Sequence, residues 1–286
     1  MRYADRDGNR IEMSSGQDKL LRALYTNLVG RAFLKALVNP WVSKIGGRLL
    51  DTKLSTIAIK SFVKNNGIDL NIYKKDRFDS YNDFFTREIK PEYRPVNMDS
   101  RTLIAPCDSK LTVFNIDSNS HFTIKNTEYT VKSLLRDSRL AEKYQGGKAL
   151  LFRLTVDDYH HYIYMDDGIK THNRKIKGRL HTVNPVANDF YPIYKENQRE
   201  YCILRSKTFG DICVVEIGAL MVGKIVNHDQ KAKVMRGQEK GYFEFGGSSI
   251  MVFLEKDKAV IDEDIVENSS DGYETKVKMG ERIGRA

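Results

Sequence analysis

Cysteine, proline and tryptophan are scarce: 3, 6 and 1 in 286 residues. Cys107, Cys202 and Cys213 are odd in number and lack a CxxC spacing, which argues against a disulfide scaffold or a zinc knuckle and for small buried thiols. With only 20 Gly beside the few prolines, and 41% hydrophobic residues, collagen-like, low-complexity and wholly disordered chains are excluded. No apolar run approaches the roughly 18–20 residues needed to cross a bilayer. Met1 to Lys19 is too charged for a signal peptide. The expectation is an intracellular chain that meets a membrane only from the side. GxGxxG and P-loop signatures are missing, so nothing speaks for nucleotide binding, and no internal repeat is visible. Acid is short as well: 47 Lys and Arg against 38 Asp and Glu leave a formal charge of +9. A surplus of this size favours an anionic partner, either nucleic acid or an acidic lipid surface.

The length suits one large domain or two small ones. From Asp18 to Asp51, spacings of three and four dominate among the apolar residues (Leu20, Leu24, Leu28, Leu34, Val38, Trp41, Ile45). The pattern predicts an amphipathic helix broken near Pro40. Its polar positions are mostly Lys and Arg. It is either an interfacial membrane anchor or a helix packed on its own domain with a solvated basic face. Further helices are predicted over Ser55–Asn65 and Ser80–Glu88. From about Thr102 the sequence turns to short β-branched and aromatic segments separated by Gly, Asn and Asp: Leu111–Ile116, Phe122–Lys125, Leu150–Val156, His161–Met165, Tyr201–Arg205, Ile212–Ile217, Tyr242–Phe245, Ile250–Leu254 and Ala259–Ile261. The expected class is α+β, with a helical, membrane-facing region over 1–100 packed on a β-rich catalytic body over 101–286.

Gly246-Gly247-Ser248-Ser249 is by itself an ordinary turn or linker signal. Its flanks differ from a linker's, because Tyr242-Phe243-Glu244-Phe245 and Ile250 to Leu254 both read as strands. Glycines pinned inside a sheet mark a bulge or a close backbone approach. A serine after such a glycine has a specific chemical option. Its hydroxyl can attack the preceding carbonyl in an N→O acyl shift, and elimination of the ester then converts the serine to dehydroalanine and onward to a pyruvoyl group.

At GYFEFGGSSI the chain resembles the phosphatidylserine decarboxylases, pyruvoyl enzymes cleaved at a Gly–Ser bond. Other segments resemble that family in the same order: Phe84-Phe85-Thr86-Arg87 with Arg94-Pro95-Val96, Ile104 to Asp108, Asp158-Tyr159-His160, Val183-Asn184-Pro185 and Val215 to Gly223. The resemblance implies cleavage between Gly247 and Ser248. Chains 1–247 and 248–286 would stay associated, the small one completing the sheet, with Ser248 as source of the covalent pyruvoyl cofactor. It also implies that Asp108 is a charge-relay aspartate and that His160 assists decarboxylation.

The family's DYHxxH pattern is incomplete, since Ile163 stands where the second histidine belongs. Ser109 replaces the usual glycine and Ser249 a threonine. Three accounts are open: His160 does both tasks, His161 turns inward as an alternative base, or processing is slow or absent. Strand alternation puts Tyr159 and His161 on one face and His160 and Tyr162 on the other, so the expectation is His160 inside and His161 out. His121, His172, His181 and His228 read as surface or packing residues.

The implied reaction is decarboxylation of phosphatidylserine to phosphatidylethanolamine by a peripheral enzyme at the cytoplasmic face of an anionic membrane. No metal or nucleic acid is expected as a partner, and a homodimer is compatible with the sequence. The rival readings are a pyruvoyl decarboxylase of a soluble amino acid, an inactive lipid-binding relative, and a basic nucleic-acid binder. The last lacks recurring basic-aromatic motifs.

Overall fold

A computed structural model of the chain describes residues 2–12, 24–27, 30, 34–35, 37–219, 224–246 and 248–286. Three features of the sequence reading therefore lie outside the described residues: Gly247, Leu220 to Gly223, and most of the segment from Asp18 to Ala36.

Ser248–Leu254 is a strand buried along its whole length. It pairs antiparallel with Gly210–Ile217 on one side and with Lys148–Leu154 on the other. Both of its faces are covered, which is why its sequence is a continuous apolar run rather than an alternation. Phe152, Leu154, Ile250 and Val252 pack on one face with Tyr162, Phe243 and Ile225. Leu151, Met251, Phe253 and Val215 pack on the other with Phe122, Tyr129 and Tyr194. Burying the five side chains Ile250 to Leu254 contributes on the order of 10 kcal/mol as an upper bound.

The large sheet runs in the order Ala232–Val234, Gly168–Lys170, Arg199–Ser206, Gly210–Ile217, Ser248–Leu254, Lys148–Leu154, Ser109–Asn115, Glu274–Val277, Arg2–Ala4, Arg10–Glu12. A three-stranded sheet of Ile225–Asn227, Glu239–Phe243 and His161–Ile163 covers one of its faces. Gly241 is required there, because a Cβ would sit 1.9 Å from the Val226 carbonyl oxygen.

The predicted strands are present, with ends shifted by a few residues. The molecule is α+β with a sheet-rich body. Helices Pro40–Leu50, Ile57–Asn66 and Tyr81–Phe85 match the predicted helical stretches. Asn39 caps the first, its side chain accepting from the Trp41 N–H at 3.0 Å, with Pro40 at the opening position where its missing N–H costs nothing. The expectation of a helical region over 1–100 needs one correction: Arg2–Ala4 and Arg10–Glu12 are strands that extend the large sheet beyond Glu274–Val277. These two edge segments are short and largely charged, so no hydrophobic alternation betrays them. Helix Glu263–Ser270 also went unpredicted.

The two sheets are tied by charge as well as by apolar contact. A β-bulge between Glu239 and Gly241 turns Lys240 inward. Its ammonium meets Glu216 at 2.7 Å, both side chains lying out of solvent, and donates to Asn227 Oδ1 at 2.5 Å. Burial pushes the Glu216 pKa up, against the pull of Lys240. Breaking such a pair leaves one uncompensated charge in the interior. Lys240→Met alone is expected to destabilise the chain by about 3–5 kcal/mol in urea titrations, and Lys240→Met with Glu216→Leu to recover most of that loss. Equal losses in the single and double variants would show that the charge is not what matters.

Candidate active site

Register brings the sequence-predicted residues to one end of three adjacent strands. Ser248 lies opposite Leu154. One step along, Arg153 lies opposite Lys110, so Leu154 is level with Ser109. Strands are roughly 4.8 Å apart, which puts the Ser109 backbone about two strand spacings from that of Ser248. Asp108 immediately precedes Ser109. The turn after Leu154 leads to His160, so Ser248, His160 and Asp108 come from the same end of the sheet.

Ser248 is fully buried and its Oγ has no hydrogen-bond partner; the same holds for Ser249. Leaving a buried hydroxyl unpaired costs roughly 1–3 kcal/mol, and such orphans call for an explanation beyond packing. Just upstream, Gly246 has φ 127°, a conformation that side-chain-bearing residues rarely adopt. Phe245 is held from both directions: its N–H donates to Asn82 Oδ1 at 3.3 Å, and its ring packs edge-on against Tyr81 and Phe85 at 5.0 and 5.1 Å. The FFTR segment thus grips the chain three residues before Ser248.

His160 is fully buried, its ring 4.3 Å from that of Phe85. Nδ1 lies 2.9 Å from the Asp158 carbonyl oxygen. A carbonyl only accepts, so Nδ1 carries the proton and Nε2 keeps its lone pair. Nε2 has no partner. Desolvation pushes the His160 pKa down to about 3, so the ring is neutral at physiological pH.

His161 departs from expectation in one respect. Alternation does hold: its ring stacks on Tyr159 at 4.8 Å and 4°, away from the His160 side. It is nevertheless buried, because Tyr242 of the three-stranded sheet covers its other face at 5.1 Å. Nε2 lies 3.0 Å from the Thr86 carbonyl oxygen, and Nδ1 lies 3.1 Å from Glu239 Oε1. Nε2 is hydrogen-bonded, whereas Nδ1 faces the carboxylate without a hydrogen bond of its own. His161 and His228 hold Glu239 down to about 2 against desolvation.

Asp108 is bound by Arg94, with Nε 2.7 Å from Oδ1 and a terminal nitrogen 2.5 Å from Oδ2. It also accepts from the Met279 N–H at 2.8 Å. Its hydrogen bonds go to Arg94 and Met279, not to His160. Ile163 is a core residue whose N–H donates to the Pro106 carbonyl at 2.9 Å. Val183 and Asn184 lie elsewhere, Val183 in the core of the opposite face. Sequence reasoning missed the roles of Phe85, Arg94, Asn82 and the Asp158 carbonyl. Phe85 and Arg94 sat in quoted motifs, whereas a backbone acceptor leaves no trace in residue types. Among the described residues, no cluster of His, Cys, Asp and Glu is arranged to hold a metal.

Burial of neutral histidines sets a pH dependence. Unfolded, His160 and His181 titrate near 6.5; folded, burial lowers them to about 3 and about 4. Below pH 6.5 the unfolded chain therefore binds more protons, so their contribution is complete above about pH 6.5 and is lost as pH falls toward 4. Urea titrations of a Ser248→Ala chain should show stability falling over this window. His160→Asn should flatten the slope by roughly 1.4 kcal/mol per pH unit. An unchanged slope would mean that the ring takes up a proton inside the fold.

The family model described as Phosphatidylserine decarboxylase matches residues 81–285. Phosphatidylserine decarboxylase proenzyme 2 of Clostridium acetobutylicum is 44% identical over 265 residues, 92% of this chain and 91% of the relative. The phosphatidylserine decarboxylase proenzyme of Clostridium tetani is 44% identical over 281 residues, covering 96% and 94%. That of Clostridium botulinum is 41% identical over 272 residues, covering 93% and 92%. On these matches, the chain belongs to the phosphatidylserine decarboxylase family.

Proposed function

We propose that the chain cleaves itself between Gly247 and Ser248 and then decarboxylates phosphatidylserine to phosphatidylethanolamine. One observation carries this reading: two deeply buried groups without partners, the Ser248 hydroxyl and His160 Nε2, at the same end of the sheet in the segments that match the family.

Cleavage uses only the chain's own atoms and one water. His160 Nε2 takes the Ser248 hydroxyl proton as Oγ attacks the Gly247 carbonyl, and the Gly247–Ser248 amide becomes an ester with a free amine on Ser248. Loss of the Ser248 α-proton expels Gly247 as a carboxylate and leaves dehydroalanine. Water then releases ammonia and leaves a pyruvoyl group at 248. The residues fit such a group: the ladder holds Ser248 against Leu154 and Ser249 between Arg153 and Ile217, Ser248 Oγ is buried without a partner, and Phe85 and Phe243 are buried. Once formed, the group supplies a ketone that draws in the electron pair left when carbon dioxide departs. His160 is placed to return a proton to the substrate carbon, a second task for the same Nε2. His161, its Nε2 on the Thr86 carbonyl and its Nδ1 turned to Glu239, is not the base on this reading. The partition into a membrane-facing 1–100 and a catalytic 101–286 belongs to the same proposal.

Membrane contact is supported by an exposed apolar stripe. Trp41, Ile45 and Leu49 follow at four-residue spacing on helix Pro40–Leu50, with 69%, 49% and 64% of their surface open, and Leu54 and Ile57 continue it at 79% and 80%. Arg48, Lys53, Lys60 and Lys64 are nearby in sequence and partly or fully exposed. An apolar face rimmed by cations suits an anionic bilayer. Among the described residues no helix is long and apolar enough to span it. This arrangement supports docking from the side; the cytoplasmic face is part of the same proposal.

Intact mass spectrometry tests the cleavage. The expected result is chains 1–247 and 248–286, the latter blocked by a pyruvoyl group. Ser248→Ala and His160→Ala should remain whole, while His161→Ala processes. A small chain opening on unmodified serine, or processing that survives His160→Ala, overturns the mechanism. Separately, Trp41→Ser with Leu54→Ser and Ile57→Ser should reduce sedimentation with phosphatidylserine vesicles at least tenfold and leave self-cleavage intact, since each buried apolar side chain contributes roughly 1.5–3 kcal/mol. Undiminished sedimentation would remove the stripe from the interface.

A further inference from the structure

We infer that Lys110 is a positioning residue for His160, acting through the carboxylate of Asp158; the inference rests on the reading of His160 as the base. Lys110 is the second residue of strand Ser109–Asn115, and its side chain is 9% exposed. Its ammonium reaches the turn that follows Leu154, contacting Asp158 Oδ1 at 3.0 Å, Oδ2 at 2.8 Å and Thr155 Oγ1 at 2.5 Å. The Asp158 side chain is 7% exposed. It also accepts from the Thr155 N–H at 2.7 Å and the Thr155 hydroxyl at 2.9 Å, and its own N–H donates to the Thr155 carbonyl at 2.9 Å. The Thr155–Asp158 turn is therefore closed on itself by the carboxylate, and Lys110 fastens it to the neighbouring strand.

The output of this clamp is the Asp158 carbonyl oxygen, the atom that holds His160 Nδ1–H and so leaves Nε2 unprotonated. In a triad, a carboxylate performs that service directly. Here the carboxylate acts one step back, fixing the turn whose carbonyl orients the ring. A buried carboxylate needs a compensating cation. Lys110 forms the salt bridge with Asp158; Asp157, beside it, adds repulsion. Ser109-Lys110 occupies the stretch just after Asp108, where this sequence departs from the family pattern.

Two measurements on the full chain test the clamp. The first is the self-cleavage rate in a pulse-chase. The second is the ring ¹⁵N signature of His160 in histidine-labelled Ser248→Ala protein, practical with only 6 histidines. Lys110→Met should slow cleavage at least about tenfold and convert His160 from the Nδ1–H tautomer to a mixture. Lys110→Met with Asp158→Asn removes both charges while keeping the turn's acceptor, and should restore the tautomer and bring the rate to within about threefold of the parent. If the single variant fails to fold, the double variant decides on the same two readouts. Wild-type cleavage in Lys110→Met overturns the proposal. So does slow cleavage with the tautomer unchanged, and so does a double variant that folds yet stays slow. The underlying reading fails differently: His160→Ala would cleave normally whatever Lys110 does to the ring.

Discussion

A single strand, Ser248–Leu254, carries the main constraint on this molecule. It is the sixth position from one edge of neither a barrel nor a loose hairpin but an interior place in an open sheet, bonded on both sides and packed on both faces. Its first residue is thereby held to the precision of the sheet. The chain entering it comes from a different sheet, since strand Glu239–Phe243 belongs to the three-stranded layer. Among the described residues, Glu244, Phe245 and Gly246 lead from the one layer toward the other. The crossing segment is fixed upstream by Lys240 on Glu216 and by Phe245 in its aromatic pocket, and downstream by the ladder at Ser248. The chain is thus anchored on both sides of the proposed cleavage point. That is the condition under which a neighbouring hydroxyl is kept beside it rather than merely passing by.

The same layering explains the two histidines. Adjacent residues on an extended chain diverge, so one covering sheet suffices to give them different fates. His160 faces Phe85, while His161 is stacked between Tyr159 and Tyr242 with its Nδ1 turned to Glu239. Burial keeps both from solvent, and what each ring faces, not exposure, distinguishes them. Alternation alone gave the correct divergence but the wrong environment for His161. Period-two reasoning knows which face a residue takes and nothing of what covers that face.

What was legible in the sequence follows the same line. The strand Ile250 to Leu254 announced itself as an unbroken apolar run, and the helices at Ile57 and Tyr81 by the spacing of their apolar residues. Gly246-Gly247-Ser248 stood out because glycines rarely interrupt two strands. The edge strands Arg2–Ala4 and Arg10–Glu12 were illegible because their stabilisation is backbone pairing with little apolar burial. The clamp around His160 was illegible for a related reason: its last link is a main-chain carbonyl, which any residue supplies.

The missing second histidine is where local physics and family pattern part. Ile163 is packed in the core with its backbone on Pro106, beside the segment that carries Asp108. An isoleucine there offers the aspartate no hydrogen bond. A carboxylate as little exposed as Asp108 still needs donors, and the structure supplies them from Arg94 and the Met279 N–H. Arg94 lies in the RPV segment of the large chain and Met279 beyond the proposed cleavage point, so Asp108 joins the two chains that cleavage would create. The aspartate therefore has a structural duty in this chain that does not require contact with a histidine ring. Its removal would loosen the end of the sheet where Ser248 sits, and the loss of processing that followed would not by itself mark Asp108 as a proton relay. On the proposed mechanism, the relay reduces to one imidazole whose tautomer is set by its own turn.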